Sequence, residues 1–257
     1  MNRTKKISLL VLSFSLFIGL LFAMCAPAQA TIDPVPDHIT NIDNLFAVPE
    51  GSDSQLPVNG VTVINTADKN QSGAIWAKDA NKIDLTSDFS ATMLLNFGDS
   101  GANAADGMAF VMHNDARGVN TIQKDGNGQQ LGVWAKPLFK DSNSSMDMST
   151  AIQNSFAVEF DTFNNERWDA SSFKQNYDWL KDPTNFTTNA INGNHIAYGF
   201  PARADAYDIG IIRSGLPLFY SYDYTSVLKH NGLYQSPTAL SDGHWHEFTV
   251  NCSAAKK

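Results

Sequence analysis

Apolar and polar residues alternate between Phe89 and Phe97: Phe89, Ala91, Met93, Leu95 and Phe97 share one side, with Ser90, Thr92, Leu94 and Asn96 on the other. Because strand side chains point to opposite faces with a period of two, this stretch predicts an amphipathic strand. Val61-Thr-Val-Ile64 reads the same way after a Pro-Val-Asn-Gly turn, and Trp245-His-Glu-Phe-Thr-Val250 is a further candidate. Met108-Ala-Phe-Val-Met112 is apolar throughout, as in a strand covered on both faces. Gly132-Val-Trp134, His195-Ile-Ala-Tyr198 and Tyr207-Asp-Ile-Gly-Ile-Ile212 complete the candidate strands, and clusters of Gly, Asn and Asp separate nearly all of them. No long stretch carries a 3.6-residue apolar stripe. The pattern predicts an all-β sandwich, without internal repeats or low-complexity tracts.

One strand carries chemistry. In residues 154 to 165, Asn-Ser-Phe-Ala-Val-Glu-Phe-Asp-Thr-Phe-Asn-Asn, the period of two puts Glu159, Asp161, Phe163 and Asn165 on one face and Phe156, Val158 and Phe160 on the other. Two carboxylates this close repel, and a shared proton, a basic partner or a bound cation relieves them. Only Arg167 is near in sequence. The residues therefore read either as a cation site or as a solvated face ending in an Asn-rich turn. Long loops over residues 113 to 131 and 164 to 194 follow apolar strands, and loops of that length are usually functional or disordered. The second holds Trp168, Phe173, Tyr177, Trp179 and Phe186, suited either to a satellite core or to a stacking platform for the apolar face of a sugar.

Composition narrows the setting. Arg3, Lys5 and Lys6 precede an apolar run from Ile7 to Met24, followed by Ala28-Gln-Ala30, so residues 1–30 read as a secretory signal peptide. The run is short for a membrane span, and Met24 before Cys25 does not suit a lipid-anchor site. Residues 31–257 are then expected to be one secreted, extracellular domain, possessing no membrane insertion once the leader is removed. A formal charge of −8 argues against nucleic acid as partner and suits cations and neutral ligands. With Cys25 in the leader, Cys252 has no intrachain partner and no disulfide framework is expected.

Ala104-Ala-Asp-Gly-Met-Ala-Phe-Val111 sets one Asp between small residues before an apolar strand. Alone, Asp106-Gly107 is an ordinary turn dipeptide. Together with the Glu159-x-Asp161-x-Phe163-x-Asn165 strand, it resembles the legume-type (L-type) lectin family, and closely resembles its bacterial secreted branch. Asn44-Leu-Phe46, Gly73-Ala-Ile-Trp76, the strand from Phe89, Leu131-Gly-Val-Trp134, Asn194-His-Ile-Ala197 and Asp242-Gly-His-Trp-His246 extend the likeness over most of the chain after the leader. The resemblance implies a concanavalin-like jelly-roll β-sandwich of antiparallel sheets, with metal and sugar held by loops at one end.

It also implies roles. Asp161, the Phe163 carbonyl and the Asn165 side-chain oxygen would bind Ca²⁺, a cation that takes six to eight oxygens. Asp182, in Asp182-Pro183, would complete the set, with Asp169 or Asp178 as substitutes because the intervening segments are longer than in plant members. A second, transition-metal ion such as Mn²⁺ would take Glu159, Asp161, Asp182 and His195. His195 reads equally as a core histidine bonded to backbone. For the sugar, Asp106 would accept from two vicinal hydroxyls, oriented by a cis peptide after Ala105. Asn165 would donate its amide, Gly128 or Gln129 would offer a backbone N–H, and Phe163 would pack against the ring. The partner implied is a glycan or glycoconjugate.

Two other classes use this fold. A concanavalin-like glycoside hydrolase needs a second carboxyl on the same strand, about 5 Å away across the bond for retaining chemistry. Those positions are Phe163 and Asn164, and Glu166 has the wrong parity, so an enzyme is not expected. A structural or adhesive surface module without sugar binding is the other class. Asp106 and Asn165 argue against it, whereas the carboxyl end argues for it. Relatives continue past the strand ending at Val250, and Cys252 stands where they commonly have Trp. The chain accordingly reads as truncated, with C-terminal strands missing and an unpaired strand edge expected.

Overall fold

The computed structural model describes residues 32–37, 40–123, 128–140, 143–163, 165, 180–181, 194–214 and 221–254. Its strands are β1 (Phe46–Ala47), β2 (Trp76–Ala77), β3 (Phe89–Leu95), β4 (Gly107–His113), β5 (Lys136–Lys140), β6 (Asn143–Asp147), β7 (Ser155–Asp161), β8 (Leu180–Lys181), β9 (His195–Gly199), β10 (Tyr207–Ser214), β11 (Ser221–Leu228), β12 (Asn231–Gln235) and β13 (His246–Cys252). All pairings are antiparallel except that of β8 with β11. Short 3₁₀ turns are the only helical elements among the described residues.

The central sheet has the order β12-β9-β7-β4. Its register sets Gly107 opposite Asp161 and Ala109 opposite Glu159 on one side, and Ala197 opposite Glu159 and His195 opposite Asp161 on the other. Residues directly opposite in an antiparallel pair share a face. Glu159, Asp161, His195, Ala109 and Ala197 are thus neighbours on one face. Phe110, Phe156, Val158 and Phe160 occupy the other face. There Phe248 of β13 meets Phe160 and Phe110 edge-on at centroid separations of 4.9 and 5.4 Å, so the β3–β13 ladder packs on this side as a second layer. Edge-on rings suit the aromatic quadrupole, and each such pair adds about 0.5–1.5 kcal/mol to simple burial.

The acidic face is the more deeply covered of the two. Ala157, on the same side as Glu159, belongs to a core of Val133, Trp134, Ala135, Ala151, Ile152, Ala206, Tyr207 and Leu228, against which Ala109 and Val111 also pack. Small residues on the sheet make room for the Trp134 ring: a Cβ added at Gly199 would come within 3.0 Å of it. The Tyr207 hydroxyl ties this layer together, donating to the Pro201 carbonyl (2.7 Å) and accepting from the Ala135 N–H (2.8 Å). Phe156 and Val158, by contrast, are only half-buried. The solvated-face reading of Glu159 and Asp161 therefore fails.

The β-rich reading holds, and several elements differ in detail. Val61–Ile64 forms no ladder, contributing only a bridge from Val61 to Val58 around a turn with Asn59 and Gly60 at positive φ. Gly132–Trp134 is a turn, because Leu131 and Gly132 have φ of 47° and 68° and both Val133 N–H and Trp134 N–H bond the Gln130 carbonyl. The ladder resumes at Lys136. Met108–Met112 is a strand, but as β4 it borders the sheet among the described residues and is half-buried. The β5–β6 hairpin, β11 and β12 lack an alternating apolar signature. The expected leader and the aromatic residues Trp168, Phe173, Tyr177, Trp179 and Phe186 lie outside the described residues. No helix among the described residues is long and apolar enough to cross a membrane.

Candidate functional site

Asp106 immediately precedes β4, and the Ala105–Asp106 peptide is cis, the isomer the resemblance implies. Its backbone carbonyl accepts from Thr162 N–H (2.9 Å), which ties the start of β4 to the end of β7. Gly107 is required at this junction because its φ is +148° and a Cβ there would overlap the Phe160 carbonyl oxygen. The Asp106 carboxylate is hydrogen-bonded by the Asn165 side chain; burial nevertheless raises its pKa above the ordinary value. Gly128, at the start of the 3₁₀ turn Gly128–Gln130, lies so close that a Cβ there would overlap Asp106 Oδ2. Three separated parts of the chain thus meet at one carboxylate.

Beyond β7 the chain turns back on itself: Phe163 N–H donates to Asp161 Oδ1 at 2.7 Å. Asp161 is 3% exposed and Asn165 is also buried, whereas Phe163 is 39% exposed. Asn194, just before β9, braces this loop, its amide donating to the Thr162 carbonyl (3.2 Å) and its oxygen accepting from Leu240 N–H (2.9 Å). Gln129 is half-buried within the 3₁₀ turn. Asp182, Asp169 and Asp178 lie outside the described residues.

Deeper on the same face, Glu159 sits between two histidines. Its Oε1 is 2.7 Å from His230 Nε2 and 3.5 Å from His195 Nε2, and all three side chains are almost wholly buried. Burial acts to raise the Glu159 pKa, but hydrogen bonds from His195 and His230 and their charge override it and hold the carboxyl at about 2. The Glu159 carboxylate and one nitrogen from each histidine lie within 4.8 Å of one another, a possible metal site. Asp161 does not join that cluster.

Residues 57–176 match the family model of the legume lectin domain. Those residues read as an L-type lectin domain. The matched span contains Asp106, Gly128, Glu159, Asp161 and Asn165, while His195 and His230 lie beyond it. Neither a curated protein nor a solved structure matches the chain. Legume lectin domains are concanavalin-like β-sandwiches, in keeping with the antiparallel sheets here. The family is generally carbohydrate-binding and non-catalytic, and its members typically bind Ca²⁺ and Mn²⁺.

For this lectin domain, the expected sugar-site residues Asp106, Gly128 and Asn165 come together around one carboxylate. Phe163 and Gln129 belong to the adjoining loop and turn. Of the expected transition-metal set, Glu159 and His195 are within reach of each other, with His195 Nε2 3.5 Å from the Glu159 carboxylate. His230 was missed by sequence reasoning. It lies with Lys229 in the two-residue link between β11 and β12, with no metal-ligand spacing to His195, and only the pairing of β12 with β9 carries it to Glu159.

Proposed function

We propose that the domain is a secreted, calcium-dependent module that recognises a glycan in a non-catalytic pocket built on Asp106. The observation that carries this reading is the convergence of Asp106, Asn165 and Gly128. A partly buried carboxylate, an amide donor and an approach open only to glycine form a compact set of acceptor and donor groups for vicinal hydroxyls. Phe163, an exposed aromatic residue two positions before Asn165, is proposed to pack against the apolar face of the sugar.

The donor chemistry fits calcium. The Asp161 carboxylate, the Phe163 carbonyl and the Asn165 amide oxygen are all hard oxygen donors on one short loop. Asp182 is proposed as the fourth protein ligand. Bound calcium would neutralise Asp161 and hold the Asn165 oxygen, leaving its NH₂ for Asp106 and a sugar hydroxyl. Asp106 orients the sugar, and no proton transfer is assigned to it. The Glu159 carboxyl is enclosed between histidines, consistent with a pocket that binds without reacting. Residues 1–30 are proposed as the export leader.

The test is a glycan array read with and without calcium chelation, alongside Asp106→Ala and Asn165→Ala. Calcium-dependent binding lost in both variants is expected. Binding indifferent to chelator and to both substitutions would refute this reading.

A further inference from the structure

We infer that Asn194 and Ser241, both completely buried, are positioning residues for the Asp106 carboxylate, acting through a closed belt of hydrogen bonds across one end of the central sheet. The inference deepens the sugar reading given above and rests on it for its effect on glycan affinity.

All four strands of that sheet meet the belt at the same end. β4 begins and β7 finishes there, joined by the bond from Thr162 N–H to the Asp106 carbonyl (2.9 Å). Asn194 stands just ahead of β9, its amide donating to the Thr162 carbonyl (3.2 Å). β12 ends there too, and the chain beyond it returns two N–H groups to Asn194: Ser236 to its backbone carbonyl (2.9 Å) and Leu240 to its side-chain oxygen (2.9 Å). The belt then closes through the next residue. Ser241 takes Ser100 N–H on its hydroxyl (3.0 Å) and Gly101 N–H on its carbonyl (2.7 Å). Gly101 opens the 3₁₀ turn Gly101–Asn103, which leads by the buried Ala104 to Asp106.

The position of Asp106 makes it dependent on this support. It lies in the crossing from β3 in the second layer to β4 in the central sheet, and the ladder with β7 begins only at Gly107. The segment from Ser236 to Trp245 makes the reverse crossing, from β12 to β13, and the two crossings are bonded to each other. Gly243 N–H donates to the Gly98 carbonyl (2.8 Å), with φ of 85° and 75° at the two glycines. A group that recognises a ligand must be held within about 0.5 Å by packing and hydrogen bonds behind it. Asn194 suits that task because a carbonyl faces one half of its amide and an N–H the other; a carboxylate lacks the donor, and an apolar side chain lacks both.

Amide hydrogen exchange and binding to an array of mono- and oligosaccharides in calcium should be compared for the full chain, Ser241→Ala and Ser155→Ala. Ser155 is the control: its hydroxyl donates to the Ile152 carbonyl (2.6 Å) at the opposite end of β7, so Ser155→Ala also loses one hydroxyl bond but leaves the belt intact. Ser100 is exposed, so water replaces the lost hydroxyl in Ser241→Ala, which should melt close to the parent. In that variant the Thr162 amide, whose acceptor is the Asp106 carbonyl, should exchange roughly five- to tenfold faster, the weight of one net hydrogen bond, and affinity for the glycans bound by the parent should fall by a similar factor. Ser155→Ala should leave both at parental values. Unchanged exchange at Thr162 in Ser241→Ala would overturn the inference, because the belt then does not reach Asp106. Equal acceleration in Ser155→Ala, a sign of general loosening, would overturn it as well, as would faster exchange with undiminished affinity. A parent that binds no glycan would refute the sugar reading instead, and Thr162 exchange would still decide whether the belt holds Asp106.

Discussion

Gly128→Ala adds one methyl group directly against the Asp106 carboxylate. The new Cβ would overlap Oδ2, and Asp106 cannot simply swing clear, because it is partly buried and held by Asn165. Displacing it loses a hydrogen bond to a charged group, about 1.5–3 kcal/mol, partly offset by the 0.4–1 kcal/mol gained when Ala restricts the unfolded chain. The net cost to folding is about 1–2 kcal/mol, a fall in melting temperature of roughly 2–8 °C for a domain of this size. Glycan binding suffers more. A carboxylate moved off its position would forfeit the two charge-assisted bonds proposed to vicinal hydroxyls, about 3–6 kcal/mol together, which would lower affinity by roughly two to four orders of magnitude.

The assay pairs a thermal melt with calorimetric titration of the tightest glycan found on an array. Gln129→Ala is the control: it retains the backbone N–H of the same turn, and its affinity is expected to stay within about threefold of the parent, since the side chain is assigned no contact with the sugar. Parent-like binding by Gly128→Ala would refute the idea that the turn must press on Asp106. Loss of binding in Gln129→Ala to the same extent would move the contact from backbone to side chain.

Further expectations follow from the core and from charge. Asp161→Ala removes an oxygen proposed to bind calcium, and the rise in melting temperature expected on adding calcium to the parent protein should disappear in the variant. Tyr207→Phe strands the buried Ala135 N–H and Pro201 carbonyl, at a cost of about 1–3 kcal/mol in chemical denaturation; an unchanged midpoint would contradict it. Asp115, paired by both oxygens with Arg117, has its carboxyl held well below the ordinary range. Its contribution is therefore complete above the unfolded carboxylate value near 4 and drains away as pH falls below it. Asp115→Asn should lower stability at neutral pH and flatten its loss in acid. A parallel acid limb in both proteins would show that the pair is not responsible.

Much of the scaffold is legible in local pattern. Period-two alternation located β3 and β13, and the same parity placed Glu159 and Asp161 on one face of β7, because side-chain direction in a strand is set by the pleat itself. Asp106-Gly107 and Glu159-x-Asp161-x-Phe163-x-Asn165 were visible as motifs, each written within a few consecutive residues. Gly132-Val-Trp134 misled because apolarity suggests burial without specifying geometry; positive φ at Leu131 and Gly132 makes it a turn with Trp134 buried all the same. Which face of β7 is dry was likewise undetermined locally, since it depends on Trp134 and Tyr207 arriving from elsewhere in the chain. The same holds for Gly128, whose need to be glycine arises only from the proximity of Asp106. His230 is the clearest case. No spacing marks it, and its partners are 71 and 35 residues away in the chain. Sequence by itself determined β3, β4, β7, β9, β10 and β13 and the parity of β7, and it singled out the residues proposed here for sugar and calcium. The tertiary structure decided which of these share one place, because strand order, and not separation along the chain, sets the distance between side chains.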